Sequence, residues 1–167
     1  GVLFVKDKKK IRSLMIGGGQ ESGLRAGTEN VAGIAGLGLA AKLATDNLSS
    51  HTKHLKELET IFREKLNKIS TDVVFHVKQQ NCLPGLVSVA FPGRRSDILM
   101  ARLDRCGLAV SSGSACSVGN VKPSVVLNAM SVDDSLNRAT LRISFGAGNT
   151  RDDIEELVSG LKKVLES

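Results

Sequence analysis

Between Ala139 and Phe145 the chain alternates strictly. Leu141, Ile143 and Phe145 fall on one side of an extended backbone, and Thr140, Arg142 and Ser144 on the other. A strand that is apolar on one side only belongs to a sheet with one face on a core and one face open. The cover comes next in the chain. After Thr150-Arg151-Asp152-Asp153, a capping box with the shorter acid, Ile154, Leu157, Val158, Leu161, Val164 and Leu165 recur at helical spacing. Val73–Val77, Leu86–Phe91 and Leu108–Ser111 read as further strands. Ser96 or Asp97 can cap a helix through Cys106, with Leu99, Leu103 and Cys106 on one face and Gly107 at its C′ position. Pro123 suits the first turn of a short helix to about Met130. From residue 70 onward the pattern is strands of one sheet with helices on one side.

Upstream the texture differs. Leu55, Leu58, Phe62, Leu66 and Ile69 form one apolar stripe of a long helix, with Lys53/Glu57 and Glu59/Arg63 as i,i+4 pairs on its exposed side. Asp46-Asn47-Leu48-Ser49-Ser50 is a break or kink before it. The preceding helix, about 30 to 46, opens on Thr28-Glu29-Asn30, with Glu29 suited to the positive end of the dipole. Its many Ala and Gly residues predict packing on several sides. Residues 2–5 and 12–16 read as short strands, and Gly17-Gly18-Gly19 opens a polar loop to Thr28. Together these predict an α+β unit attached to part of a larger α/β domain. The start on Val2-Leu3-Phe4-Val5, without Met, reads as a chain cut from something longer.

The 167 residues contain five Phe and no Tyr or Trp, so the core must be aliphatic. The charge of +6 is concentrated in Lys6, Lys8, Lys9, Lys10 and Arg12. No aromatic residues are interleaved there for base stacking, so a solvated turn is favoured over a nucleic-acid surface. Three cysteines without paired spacing make neither a disulfide framework nor a zinc site, and fit a reducing compartment. No apolar run approaches the ~20 residues of a membrane-spanning helix, and no apolar signal-peptide segment is present.

Four features could carry chemistry. Cys116 sits in Ser111-Ser112-Gly113-Ser114-Ala115-Cys116-Ser117, where small and polar neighbours argue against burial and for a thiol that can react. Cys106 and Cys82 read instead as structural. Arg142 is either a solvent-facing side chain or a member of a surface ion pair, or else a guanidinium fork on a rigid strand that grips a carboxylate. The loop from Gly17 to Arg25-Ala26-Gly27-Thr28 is not a P-loop. It is either an ordinary helix cap or a phosphate holder built from a hydroxyl and free amides. His51 and His54 read as exposed on the long helix, and no Ser/His/Asp arrangement is legible.

Gly17-Gly18-Gly19-Gln20-Glu21, Arg25-Ala26-Gly27-Thr28-Glu29-Asn30, Ser111 through Cys116, and Leu141-Arg142-Ile143-Ser144-Phe145-Gly146 resemble, in order, motifs of the cysteine desulfurases. These are pyridoxal-phosphate (PLP) enzymes of the class V aminotransferase family, of the nitrogen-fixation and iron–sulfur-cluster type. The resemblance implies an α/β, aspartate-aminotransferase-like fold. Residues 1–46 would end the large PLP-binding domain, 47–69 form a connecting helix, and 70–167 form an α+β small C-terminal domain with the Cys loop.

It also implies roles. Cys116 would take sulfur from L-cysteine as a persulfide, leaving L-alanine, and a mobile loop would carry it to an acceptor such as an iron–sulfur scaffold. Arg142 would bind the substrate α-carboxylate. Thr28, with Arg25 nearby, would reach the cofactor phosphate of the neighbouring subunit of a homodimer. No metal, nucleic acid or membrane is implied; the compartment would be cytoplasmic, or mitochondrial in a eukaryote. The cofactor-bearing lysine would lie just upstream of Gly1, and Lys6, Lys8, Lys9 and Lys10 do not match it, so these residues alone would be inactive. Ala147 also departs from the Arg that relatives often carry. Selenocysteine lyases share the fold, cofactor and loop position, but Ser-Gly-Ser-Ala-Cys-Ser is closer to the desulfurases. A catalytically incomplete fragment or interaction module is the rival of a different class.

Overall fold

The computed structural model describes residues 2–7, 10–112 and 123–166. The chain divides into two compact units, Gly1–Ser49 and Ser50–Ser167.

In the first unit, α1 (Val31–Asp46) is capped by Asn30, whose side chain accepts from the Gly33 N–H at 3.0 Å. Glu29 therefore lies outside the helix, and no acid occupies its first turn. The packing expected around the Ala- and Gly-rich sequence is not seen: α1 buries no residue. Among the described residues of 1–49 it has no second regular element of comparable length, and a lone helix cannot bury its own side chains. The strands expected at 2–5 and 12–16 are likewise absent, with Leu14 98% and Ile16 93% exposed. An apolar run becomes a strand only when a neighbour takes its N–H and C=O groups, and these segments have no such neighbour among the described residues. Asn47 caps the end of α1, and α2 (Leu48–Ile69) starts at once, so the predicted break is a one-residue interruption.

The second unit is α+β. Its strands are β1 (Val74–Phe75), β2 (Leu86–Ala90), β3 (Ser111–Ser112) and β4 (Thr140–Ser144), in antiparallel order β1-β2-β4-β3. Val87, Val89, Leu141 and Ile143 are buried on one face. Leu58, Phe62 and Leu66 of α2 pack with them, as do Leu99 and Leu103 of α3 (Ser96–Asp104) and the apolar side of α6 (Arg151–Glu166). The core is aliphatic but for Phe62 and Phe91, with Phe145 against Phe62 edge-on at 5.5 Å between centroids. The capping box before α6 forms: Thr150 N–H donates to Asp153 Oδ2 at 2.8 Å, and Asp153 N–H to Thr150 Oγ1 at 3.3 Å.

Helix α3 corrects two expectations. Its N-cap position is Arg95, with no side-chain cap. Asp97 is engaged by the Arg95 fork at 3.1 and 2.7 Å, which holds its carboxyl below the usual range. Ser96 is 1% exposed, and its hydroxyl has no partner among the described residues. A buried hydroxyl without a partner costs stability, so Ser96→Ala is expected to be neutral or stabilising by up to about 1 kcal/mol. A lower melting temperature for that variant would contradict the assignment.

At the other end, the Leu108 N–H bonds to Leu103 O at 3.0 Å and the Gly107 N–H to Asp104 O at 2.9 Å, a Schellman ending. Gly107 sits at φ +77° as its C′ residue, as the sequence predicts. Cys106 becomes the cap instead of a member of the apolar face, and is exposed.

Pro123 lies outside α4 (Val125–Ala129), which Ser124 caps through the Leu127 N–H at 3.4 Å. A further short helix, α5 (Asp134–Arg138), was not anticipated. It is capped by Asp133 and leads directly into β4.

Candidate functional site

In the first unit the loop from Gly17 to Thr28 is closed by its own groups. Gln20 Oε1 accepts from the Gly27 N–H at 3.2 Å, and the Ala26 N–H donates to Met15 O at 3.2 Å. Between them Glu21 (φ 51°) and Ser22 (φ 59°) are left-handed. Non-glycine residues there cost of order 1–3 kcal/mol each, which the closure must offset. Arg25 Nη1 donates to the Thr28 carbonyl at 2.8 Å, so the two predicted phosphate contacts are adjacent. Asn30 takes the cap, which decides one of the alternatives left by the sequence: the Thr28 hydroxyl is not the helix cap. It has no hydrogen bond among the described residues and is exposed, as is Arg25. A free hydroxyl beside a guanidinium with unused donors suits a phosphate. Gln20 was not singled out from sequence, because nothing in the spacing marks a clamp seven residues from its partner.

In the second unit the open face of the sheet carries Arg142. Its register partners are Ser88 on β2 and Ser111 on β3, so the arginine rises from the central strand between two serines. It forms no hydrogen bond or ion pair among the described residues and is exposed, which leaves the surface-ion-pair alternative unsupported. β3 ends at Ser112 and runs directly into the segment that contains Cys116. Cys116 itself lies outside the described residues.

His76 borders the same face. Its N–H extends the β1–β2 pairing to Ser88 O at 3.1 Å, and its Nε2 meets Thr140 Oγ1 at 2.8 Å. Thr140 gives its one hydroxyl proton to Leu136 O at 2.7 Å, so Nε2 must carry the imidazole proton. Burial pushes the His76 pKa down, which keeps the ring neutral at pH 7. His54 is not free either, since its Nε2 pairs with Asn149 O at 2.9 Å.

A polar cluster expected on the exposed side of α2 is inside. Glu59 is fully buried and bonds Arg63 Nε at 2.9 Å and the Gly85 N–H at 3.2 Å. The Cys82 thiol points at Glu59 Oε1 (3.4 Å) and Gln79 O (3.2 Å). Burial, then Glu59, raises its pKa, so Cys82 is held as a thiol. Lys53 and Glu57 form no ion pair among the described residues.

No group of three or more His, Cys, Asp or Glu among the described residues could hold a metal ion. No helix there is long and apolar enough to cross a membrane.

Comparison with known proteins converges on one family. The class-V aminotransferase profile matches residues 1–157. The chain is 35% identical over 166 residues to the cysteine desulfurase IscS of Dictyoglomus turgidum, covering 99% of this chain and 42% of that protein. It is 37% identical over 168 residues to the putative cysteine desulfurase IscS 1 of Bacillus subtilis, covering 99% and 44%. Among solved structures, a NifS-like protein aligns with TM-score 0.80 and 32% identity over 93% of this chain and 39% of that one. The NifS-like protein of Rickettsia africae aligns with TM-score 0.78 and 33% identity over 94% and 41%. The chain thus spans less than half the length of these relatives, has the fold of the matching part of the NifS-like proteins, and belongs to the class-V aminotransferase family.

Proposed function

We propose that these residues form the C-terminal part of a PLP-dependent cysteine desulfurase: residues 1–46 the end of the cofactor domain, 47–69 the connection, and 70–167 the small domain. The observation that carries the reading is the register of β4. Arg142, which has no hydrogen-bond or ion-pair partner among the described residues, lies opposite Ser111, the first residue of the strand that leads to the Cys116 segment. Cys116 follows Ser112 by four residues in the sequence. A carboxylate anchor on β4 and a cysteine four residues along the chain from Ser112 of β3 suit an amino acid that gives up its side-chain sulfur.

The guanidinium of Arg142 holds the α-carboxylate of L-cysteine by two parallel hydrogen bonds and so orients the substrate. PLP, when bound, supplies the electron sink that makes the Cα proton labile. The Thr28 hydroxyl and Arg25 guanidinium hold the phosphate of that cofactor, from the neighbouring subunit of a homodimer. The Cys116 thiolate attacks the substrate sulfur. The new S–S bond forms as the Cβ–S bond breaks, its electron pair stays with carbon, protonation gives L-alanine, and Cys116 holds the persulfide. An acceptor thiol of a partner protein then removes that sulfur in the cytoplasm.

In the full-length protein, Arg142→Gln is expected to raise KM for L-cysteine on the order of 100-fold, since two charge-assisted hydrogen bonds are lost. A kcat/KM within twofold of the unaltered protein would overturn this role.

A further inference from the structure

Ser88, beside Arg142 on β2, is not used by the desulfurase reading. The side chains around Arg142 on the open face are short: Ser88 and Ser111 directly across, Thr140 and Ser144 along its own strand. None of these is an acid, so the fork has no anion among these neighbours, and none is large enough to prop it upright. Adjacent strands lie about 4.8 Å apart. Side chains directly opposite on antiparallel strands have Cβ atoms about 4.5–5.5 Å apart, so the Arg142 Nε–H is within reach of the Ser88 hydroxyl.

Of the two serines, Ser88 is the more rigidly held. β2 pairs with β4 along its whole length, Leu86–Ala90 against Ser144–Thr140, whereas among the described residues β3 contributes Ser111 and Ser112. On its other side the Ser88 carbonyl is fixed by the His76 N–H at 3.1 Å. The His76 ring is committed to Thr140 and does not compete for the serine hydroxyl. Ser88 is half-buried, and its Oγ has no hydrogen bond among the described residues.

We propose that Ser88 is a positioning residue for Arg142. Its hydroxyl oxygen accepts from the Arg142 Nε–H when substrate is bound, which fixes the direction of the two Nη groups that grip the carboxylate. The inference rests on Arg142 being the carboxylate anchor.

The test uses the full-length holoenzyme. Ser88→Ala is expected to raise KM for L-cysteine about 3- to 10-fold with kcat within twofold, the loss of one hydrogen bond. Ser88→Thr keeps the hydroxyl on a strand-favouring residue and restores KM. Binding of L-alanine measured by calorimetry weakens by the same factor in Ser88→Ala and recovers in Ser88→Thr, whereas L-cysteine methyl ester, which lacks the carboxylate, is turned over equally by all three proteins. If Ser88→Ala matches the unaltered protein while Arg142→Gln does not, Ser88 has no such role and the anchor stands. If Ser88→Ala and Ser88→Thr are equally impaired, the effect is structural and the proposal fails. If Arg142→Gln also binds L-alanine normally, the anchor reading itself is wrong.

Discussion

Replacing Cys116 by Ser in the full-length protein is expected to reduce alanine formation from L-cysteine on the order of 10³-fold or more, with the melting temperature unchanged. The substitution exchanges sulfur for oxygen and little else, in a run that is already Ser-Gly-Ser-Ala before it and Ser after it. What is lost is nucleophilicity. A thiol ionises near pH 8.5 and its thiolate attacks sulfur readily, whereas a serine hydroxyl stays protonated. The other cysteines serve as controls of different kinds. Cys82 is held protonated by burial and by Glu59, and so is a poor nucleophile at neutral pH. Cys106 is exposed at the end of α3 and is accessible to reagents. Cys82→Ser and Cys106→Ser should each retain activity within about threefold, because the Cys82 thiol is engaged with Glu59 and Cys106 follows the end of α3. Equal loss of activity in Cys106→Ser would move the sulfur acceptor to α3 and contradict the account.

The largest expected effect on stability comes from Glu59→Ala, about 3–5 kcal/mol. The carboxylate is fully buried and satisfies three groups at once: Arg63 Nε, the Gly85 N–H and the Cys82 thiol. Arg63 in turn donates to Val77 O at 3.2 Å and lies over the Phe75 ring at 4.5 Å. Removing the acid leaves a mostly buried guanidinium without its counter-charge and a backbone N–H without an acceptor. The Gly85 position is itself constrained. At φ +79° a Cβ would meet the Phe145 carbonyl at 3.0 Å, and the Gly85 carbonyl takes the Phe145 N–H at 2.8 Å. The damage therefore reaches the end of β4. Chemical denaturation of the full-length protein should show the loss in the transition of the small domain. The double variant Glu59→Ala/Arg63→Ala should be less damaging than the sum of the singles, because the orphaned charge is gone. A Glu59→Ala variant within 0.5 kcal/mol of the parent, on the usual scale of a surface substitution, would mean that the cluster is solvated.

The two cases show where sequence reading succeeds and where it stops. β4 and α6 were legible because their periodicity is imposed by a core they both face, and the Thr150/Asp153 box and Gly107 were legible because caps are local chemistry. Glu59 was misread. The i,i+4 spacing to Arg63 is real, but spacing cannot tell an exposed pair from one covered by the Cys82–Gly85 segment, which folds back from more than twenty residues away. Cys106 was misplaced because one residue past the last helical turn breaks the phase on which its face was counted. The strands expected near the N-terminus failed for the opposite reason: an apolar run states a preference, and only a hydrogen-bonded neighbour makes it a strand.

The candidate site was legible as parts. Arg25 and Thr28 lie close in the sequence and are in contact, and Asn30, not Thr28, is the cap. Ser88 was invisible because its place opposite Arg142 depends on a register between segments more than fifty residues apart.

The central claim is that sulfur leaves L-cysteine for Cys116 beside an Arg142-anchored carboxylate. The most direct test is mass spectrometry of the full-length protein after one turnover with L-cysteine, followed by alkylation and digestion. The account predicts one added sulfur on the peptide containing Cys116, lost again on treatment with a reducing thiol. Alanine production with the added sulfur on Cys82 or Cys106, or on no cysteine of this chain, would contradict it.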